Sequence, residues 1–290
     1  MISWASLIQS LLSGLAEGVN YSIYCLGLAF VFGIMRIINL AHGEFLVLGG
    51  YVAYWLLVIW GVNPLLAIPA ATAAAGAIGY LSYRIFLQRI RTTSELNTLI
   101  LTFGLSIFLA NLFVELWTAD IRNLSVEWLE HPVVVYGVYV SIGEIITLVV
   151  ALGVIFGLHF FLTVSKTGLA IRVTAIDRDA AALAGINVRR IDLMAFSVGA
   201  MLAGLSGPLL GMLTHISPGA GVAVTVKAFI LTVLAGVGSL PGLVIAGMVL
   251  GVGEALTVTF TNASYRELFG FALFLVILLI RPKGLFGKGL

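Results

Sequence analysis

Apolar runs of membrane-crossing length recur along this 290-residue chain from its first tenth to its last. A helix needs about 20 such residues to traverse ~30 Å of hydrocarbon. The runs lie at 7–33, 45–60, 65–83, 96–117, 142–162, 191–213, 222–237, 243–260 and 268–280. None shows the ~10-residue alternation of a membrane barrel. Helices satisfy their own backbone hydrogen bonds in lipid, so they are the class that remains. Charged residues make up 10% of the chain, against about 25% in a soluble domain. The expectation is an all-α, polytopic transmembrane bundle of eight or nine spans, one domain over residues 1–290. Gly61 to Pro64 reads as a turn. Trp117, Trp128, Tyr136 and Tyr139 suit an interfacial belt.

Charge orients the bundle. With the amino terminus outside and every segment crossing, the inner face receives Arg36, then Arg84, Arg89 and Arg91. The five cations of a central loop follow, and then Arg281, Lys283 and Lys288. Twelve of the fifteen Lys and Arg then obey the positive-inside rule, N-out and C-in. Arg122, Lys227 and Arg266 do not. The segment 222–237 is short and is followed by the break GVGSLPG, so it either spans or re-enters. The net charge of +2 implies no nucleic-acid partner, because the cations sit at membrane boundaries. The surrounding partner is lipid. Cys25 is the single cysteine and forms no internal disulfide. No basic residue precedes Arg36, so the first helix is expected to be retained and not cleaved as a signal peptide.

Between the fifth and sixth spans runs the long polar loop, about 163–191. Its cations are Lys166, Arg172, Arg178, Arg189 and Arg190, and its anions Asp177, Asp179 and Asp192. Ala180 to Ala184 favour a helix, and Gly185 supplies a left-handed end. An Ala-rich face with a basic rim is the composition of a docking element; the plain alternative is a solvated connector.

Polar residues also interrupt the apolar runs. Arg36, Asn39, His42 and Glu44 fall within nine residues at a membrane boundary, as an inner gate or as a hydrogen-bonded strut. Glu17, Asn20 and Glu254 are candidates for the translocation path, and Lys227 for a counter-charge to Glu254, because a charge at membrane depth seeks a partner, a cavity or an interface. Glu115 and Glu144 fall under the same rule. Pairing within the bundle is the alternative for each. The four histidines are widely separated, so no metal site is expected. G-x-x-x-G spacings at Gly153/Gly157, Gly207/Gly211 and Gly247/Gly251 read as helix packing. No phosphate-binding G-x-x-x-x-G-K-[ST] and no hydrolase or zinc-protease motif occurs. The chain is therefore expected to be no enzyme and to hold no cofactor.

Three stretches, GLAFVFGIMRIINLAHGEFLVLGGY (27–51), LILTFGLS (99–106) and AFILTVLAGVGSLPG (228–242), together with the ending RPKGLFG (281–287), resemble the permease subunits of branched-chain amino acid ABC transporters. Urea and short-amide ABC permeases are similar in the same places. The loop is similar to the coupling motif E-A-A-x-x-x-G, with Asp179, Ala180, Ala181 and Gly185 in its places. It departs in having Asp for Glu and the basic pair Arg189 and Arg190 where apolar residues are usual. The resemblance implies a coupling surface that includes Gly168, Arg172, Asp177, Asp179, Ala180, Ala181, Gly185, Arg189 and Arg190. It implies a second permease, two cytoplasmic ATP-binding subunits that bind the ATP, an extracytoplasmic solute-binding protein, and a place in the inner membrane. The solute would be a branched-chain amino acid, alternatively urea or an amide. An autonomous channel or ion-coupled carrier is the reading from another class.

Overall fold

The computed structural model describes residues 4–90, 95–124, 126–135, 138–236 and 238–287. Arg91, Tyr136, Val237 and Lys288 of the sequence reading lie outside them. In chain order the helices are α1 (Trp4–Met35), α2 (His42–Trp60), α3 (Pro64–Ser82), α4 (Gln88–Ile90), α5 (Glu95–Trp117) and α6 (Glu127–Glu130). A π-type turn, Tyr83–Leu87, joins α3 to α4. A two-stranded hairpin, β1 (Pro132–Val135) and β2 (Val138–Ser141), follows; the sequence reading had no strand there. Then come α7 (Ile142–Val164), α8 (Lys166–Ile176), α9 (Arg178–Leu183), α10 (Val188–Leu213), α11 (Ala220–Ala235), α12 (Leu240–Phe260) and α13 (Arg266–Ile280). Eight helical segments among the described residues are long and apolar enough to cross a membrane, and α11 is shorter.

Local chemistry sets the ends. Gly61 closes α2 in the left-handed region at φ 63°, and Asn63 then accepts from Leu65 N–H (3.0 Å) with Pro64 in the first helical position, a start pre-set by the ring of proline. Ser141 and Glu144 form a reciprocal capping box that opens α7 (3.1 and 2.9 Å). Glu144 is thereby accounted for as a cap, and Glu115 lies exposed in the last turn of α5.

The centre of the bundle is α1, packed on α12, α10, α11 and α7, with α10 also against α2 and α3. Glycine makes the closest of these approaches. A Cβ on Gly18 would strike the backbone of Gly247 and Met248, and one on Gly251 would strike Gly14 and Gly18, so α1 and α12 touch backbone to backbone. Gly207 stands likewise against Leu46 and Gly50. Gly153 and Gly157 have nothing within reach. The expectation of packing at that third pair is corrected: their strip on α7 faces away from the rest of this chain.

The ends sort as charge demands. At one end the last turns of α1 and α7, the start of α12 and the end of α11 line a common cleft with Arg172. The tail joins them there, Leu285 and Phe286 donating to Leu234 and Ala235 carbonyls (2.8 and 3.1 Å). At the other end Gln9 meets Tyr139, Ser10 meets Thr259, and Arg122 pairs with Ile216. The basic loop and Arg281 share the first end, which is the inner one by the positive-inside rule. The short α11 is entered from the outer end at Ile216 and leaves at the inner end, so Ala220–Ala235 runs inward as a single short helix and does not turn back.

Candidate functional site

After α1 the chain reverses at Arg36, which sits at φ 54°, a sharp-turn conformation rare outside glycine. Residues 37–41 then climb back into the bundle outside any helix. Non-helical backbone at membrane depth is tolerated only where protein covers it and supplies partners, and both conditions are met. Thr102 on α5 accepts from Leu40 N–H (3.3 Å), with Ile38 carbonyl 3.2 Å from its hydroxyl. Asn39 accepts from Ala41 N–H (3.1 Å), and Thr225 on α11 accepts from Gly43 N–H (2.8 Å). The His42 ring reaches Tyr24 carbonyl (2.8 Å), eleven residues before α1 ends.

In consequence α2 and α11 begin side by side in the middle of the molecule. Glu44, fully buried, accepts from Ser106 (3.1 Å) and fills the space where Gly221 has no side chain. His42 and Glu44 therefore brace the re-entry against α1 and α5, and Asn39 holds its turn locally through Ala41 N–H. Arg36 is exposed and stands apart from them.

A second constellation ties four helices together. Lys227 of α11 lies 3.1 Å from Glu254 of α12, and Arg266 at the start of α13 donates to the same carboxylate at 2.9 Å. Tyr21 of α1 donates to Glu254 at 2.7 Å and stands 2.9 Å from Glu17, which also pairs with Arg266. Glu254 is wholly buried, and the other three charges are about one-third exposed. The Lys227–Glu254 pairing expected from sequence is present. Arg266 and Tyr21 were not anticipated. On the outer side of this cluster opens a cavity of about 620 Å³, lined among others by Glu17, Asn20, Tyr24, Leu210, Lys227 and Arg266.

The polar loop folds as two helices. Ser165 caps α8 through Gly168 N–H (2.8 Å), and Asp177 caps α9 through Asp179 and Ala180 (2.9 and 3.0 Å). α9 ends on Gly185 at φ 83°, with Ile186 N–H on Ala181 carbonyl and Gly185 N–H on Ala182 carbonyl (both 3.0 Å), a Schellman ending. Asn187 then caps α10 through Arg190 N–H (3.1 Å). Arg178 fastens the unit from below, 2.7 Å from Asp192 on α10 and 3.4 Å from Ile34 carbonyl at the end of α1.

Within this loop the sequence-predicted residues divide by position. Asp179, Ala180, Gly185, Arg189 and Arg190 are exposed, as is the capping Asp177. Ala181 is wholly buried. Gly168 is buried too, and a side chain on it would strike Phe161 and Leu162, so it lets α8 fold back on α7. Arg172 is exposed and reaches Thr163 carbonyl (3.4 Å). Leu183 is 91% exposed and Ile176 78%, an apolar knob beside the alanines that the motif reading did not single out. The available signal was a leucine in a helix too short to bury both faces.

With this geometry in view, known proteins fall into line. The chain matches, over residues 10–278, the model of the family described as branched-chain amino acid transport system, permease component. It is 35% identical to the high-affinity branched-chain amino acid transport permease BraD of Pseudomonas aeruginosa, over 97% of this chain and 96% of that one. With LivH of Escherichia coli K12, of the same description, identity is 31% over the same shares. The probable branched-chain amino acid permease LivH of Methanocaldococcus jannaschii is 24% identical over 91% of this chain and 88% of its own length. Among solved structures, PsaBC from Streptococcus pneumoniae in complex with Fab is similar in fold, with a TM-score of 0.51 at 17% identity, over 96% of this chain and 94% of that one.

Proposed function

Since this chain belongs to the permease components of branched-chain amino acid transport systems, we propose that it is the membrane-spanning subunit of an ABC importer for branched-chain amino acids. It passes the solute through the bundle and leaves ATP binding to partner subunits. The observation that carries the coupling part of this reading is α9. Its exposed face of Ala180, Ala182 and Leu183, rimmed by Arg189 and Arg190, stands at the inner end, while Ala181 and Arg178 lock its other face to the bundle. Small side chains around one apolar knob suit insertion into a groove on a partner, and the flanking guanidinium groups suit charge-assisted contacts. The partners are two cytoplasmic ATP-binding subunits, a second permease and a solute-binding protein on the outer side, in the inner membrane. The chain itself does no covalent chemistry.

The test is reconstitution of the assembled transporter in proteoliposomes with labelled leucine. Uptake that requires ATP and the ATP-binding subunits supports the proposal. Equal uptake with those subunits omitted identifies a channel or carrier instead. Preference for urea or acetamide over leucine supports the amide alternative, which shares the same motifs.

A further inference from the structure

The outer cavity has the size and polar lining of a small-molecule site. Its volume, about 620 Å³, falls within the ~300–1,000 Å³ of small-molecule sites. Glu17, Lys227 and Arg266 all line it, and Glu17 is ion-paired with Arg266, so a carboxylate and two cations meet at its wall. Glu254, buried behind them, holds both cations in place. Two further carboxylates line the space: Glu144, engaged in its capping box, and Glu267, exposed.

Asn20 supplies an independent sign. It is 2% exposed and lines the cavity, and its Oδ1 has no hydrogen-bond partner among the described residues. A buried amide oxygen without a partner is costly unless something else completes it.

Against this polar chamber lies a smaller annex of about 180 Å³. It shares Tyr21, Tyr24, Leu210, Lys227 and Glu267 with the chamber and adds Cys25, Ala223 and Val224. Its own contribution is apolar and small.

We propose that chamber and annex together bind one α-amino-acid zwitterion, its head group among Glu17, Asn20, Lys227 and Arg266 and its aliphatic side chain against Leu210 and Val224. The ammonium takes the place of Arg266 beside Glu17 and reaches the Asn20 oxygen; the carboxylate faces Lys227 and the Arg266 guanidinium, both still held by Glu254. A neutral amide would use the hydrogen bonds but neither charge. The proposal rests on the transport function above and gives its solute a binding site within this chain.

The assembled transporter in proteoliposomes tests it with labelled leucine and labelled glycine. Asn20→Leu, which removes the amide at similar volume, lowers leucine uptake at least tenfold at wild-type protein level. Val224→Phe, which fills the annex, shifts the leucine-to-glycine uptake ratio at least tenfold toward glycine, because only leucine needs that space. Val224→Leu shifts the ratio in the same direction and serves if the larger ring impairs folding, as judged by thermal unfolding of the purified protein. Leucine uptake and ratio unchanged in these variants overturn the site while leaving the transport function standing. Acetamide competing better than leucine overturns the zwitterion assignment. A wild-type transporter that takes up no leucine overturns the transport reading itself.

Discussion

Lys227 lies 3.1 Å from Glu254 and its ammonium sits 4.3 Å over the ring of Tyr21, so one cation on the short α11 is bound to α12 and α1 at once. Arg266 brings α13 to the same carboxylate. Removing the shared anion leaves Lys227 without a carboxylate and Arg266 with Glu17 alone, and breaking a buried pair from one side costs about 3–5 kcal/mol. With Lys227 and Arg266 about one-third exposed, the lower part of that range applies. Glu254→Gln is expected to destabilise the purified protein by about 3 kcal/mol. Adding Lys227→Met recovers part of the loss, a coupling that a double-mutant cycle in thermal or denaturant unfolding reads directly.

The re-entrant backbone makes a different demand. Thr102 serves Leu40 and Ile38 with one hydroxyl, and the chain there has no helix to fall back on. Thr102→Val keeps the shape and deletes the hydroxyl, at an expected cost of about 1–3 kcal/mol for the unmatched backbone group. Thr102→Ser is expected to retain most of the stability. Equal unfolding curves for the two variants would contradict this account of the re-entry.

Neighbouring residues of α9 should separate coupling from folding. Leu183→Glu alters an almost fully exposed side chain and is expected to change stability by less than about 0.5 kcal/mol. It is nonetheless expected to lower ATP-dependent uptake at least tenfold. Ala181→Leu pushes into a filled space and costs about 1–3 kcal/mol. Uptake and unfolding measured on the same preparations distinguish the two effects.

Identical glycine spacings have unequal consequences. Gly247 stands against the backbone of Gly18 and the side chain of Ser22, whereas Gly153 has open space. Gly247→Val is expected to lower stability by at least about 1–3 kcal/mol through overpacking. Gly153→Val is expected to leave the unfolding of the isolated chain unchanged, and comparison in detergent checks both.

Much of the architecture was legible from hydrophobic length, because a bilayer demands unbroken apolar runs and punishes interruptions. The polar loop was legible for the same reason in reverse. The climb of residues 37–41 was not, because the hydroxyls that make it possible lie on α5 and α11, far away in sequence. Asn39, His42 and Glu44 looked like one cluster because they are close in the chain; each in fact serves a different neighbour. Arg266 was visible only as a cation on the wrong side of the membrane, and that misfit was its signal. Ala181 matched a docking motif, yet a helix of six residues must use some of its alanines to sit on its support. Periodicity alone does not say which.

The grip of Leu285 and Phe286 on the final carbonyls of α11 gives the tail a reach beyond its own surface. A sixteen-residue rod anchored to the 285–286 strap at one tip and abutting Glu44 at the other makes a lever whose handle lies at the basic end of the bundle. A pull on that handle is carried along α11 to the buried Glu44 at the heart of the bundle.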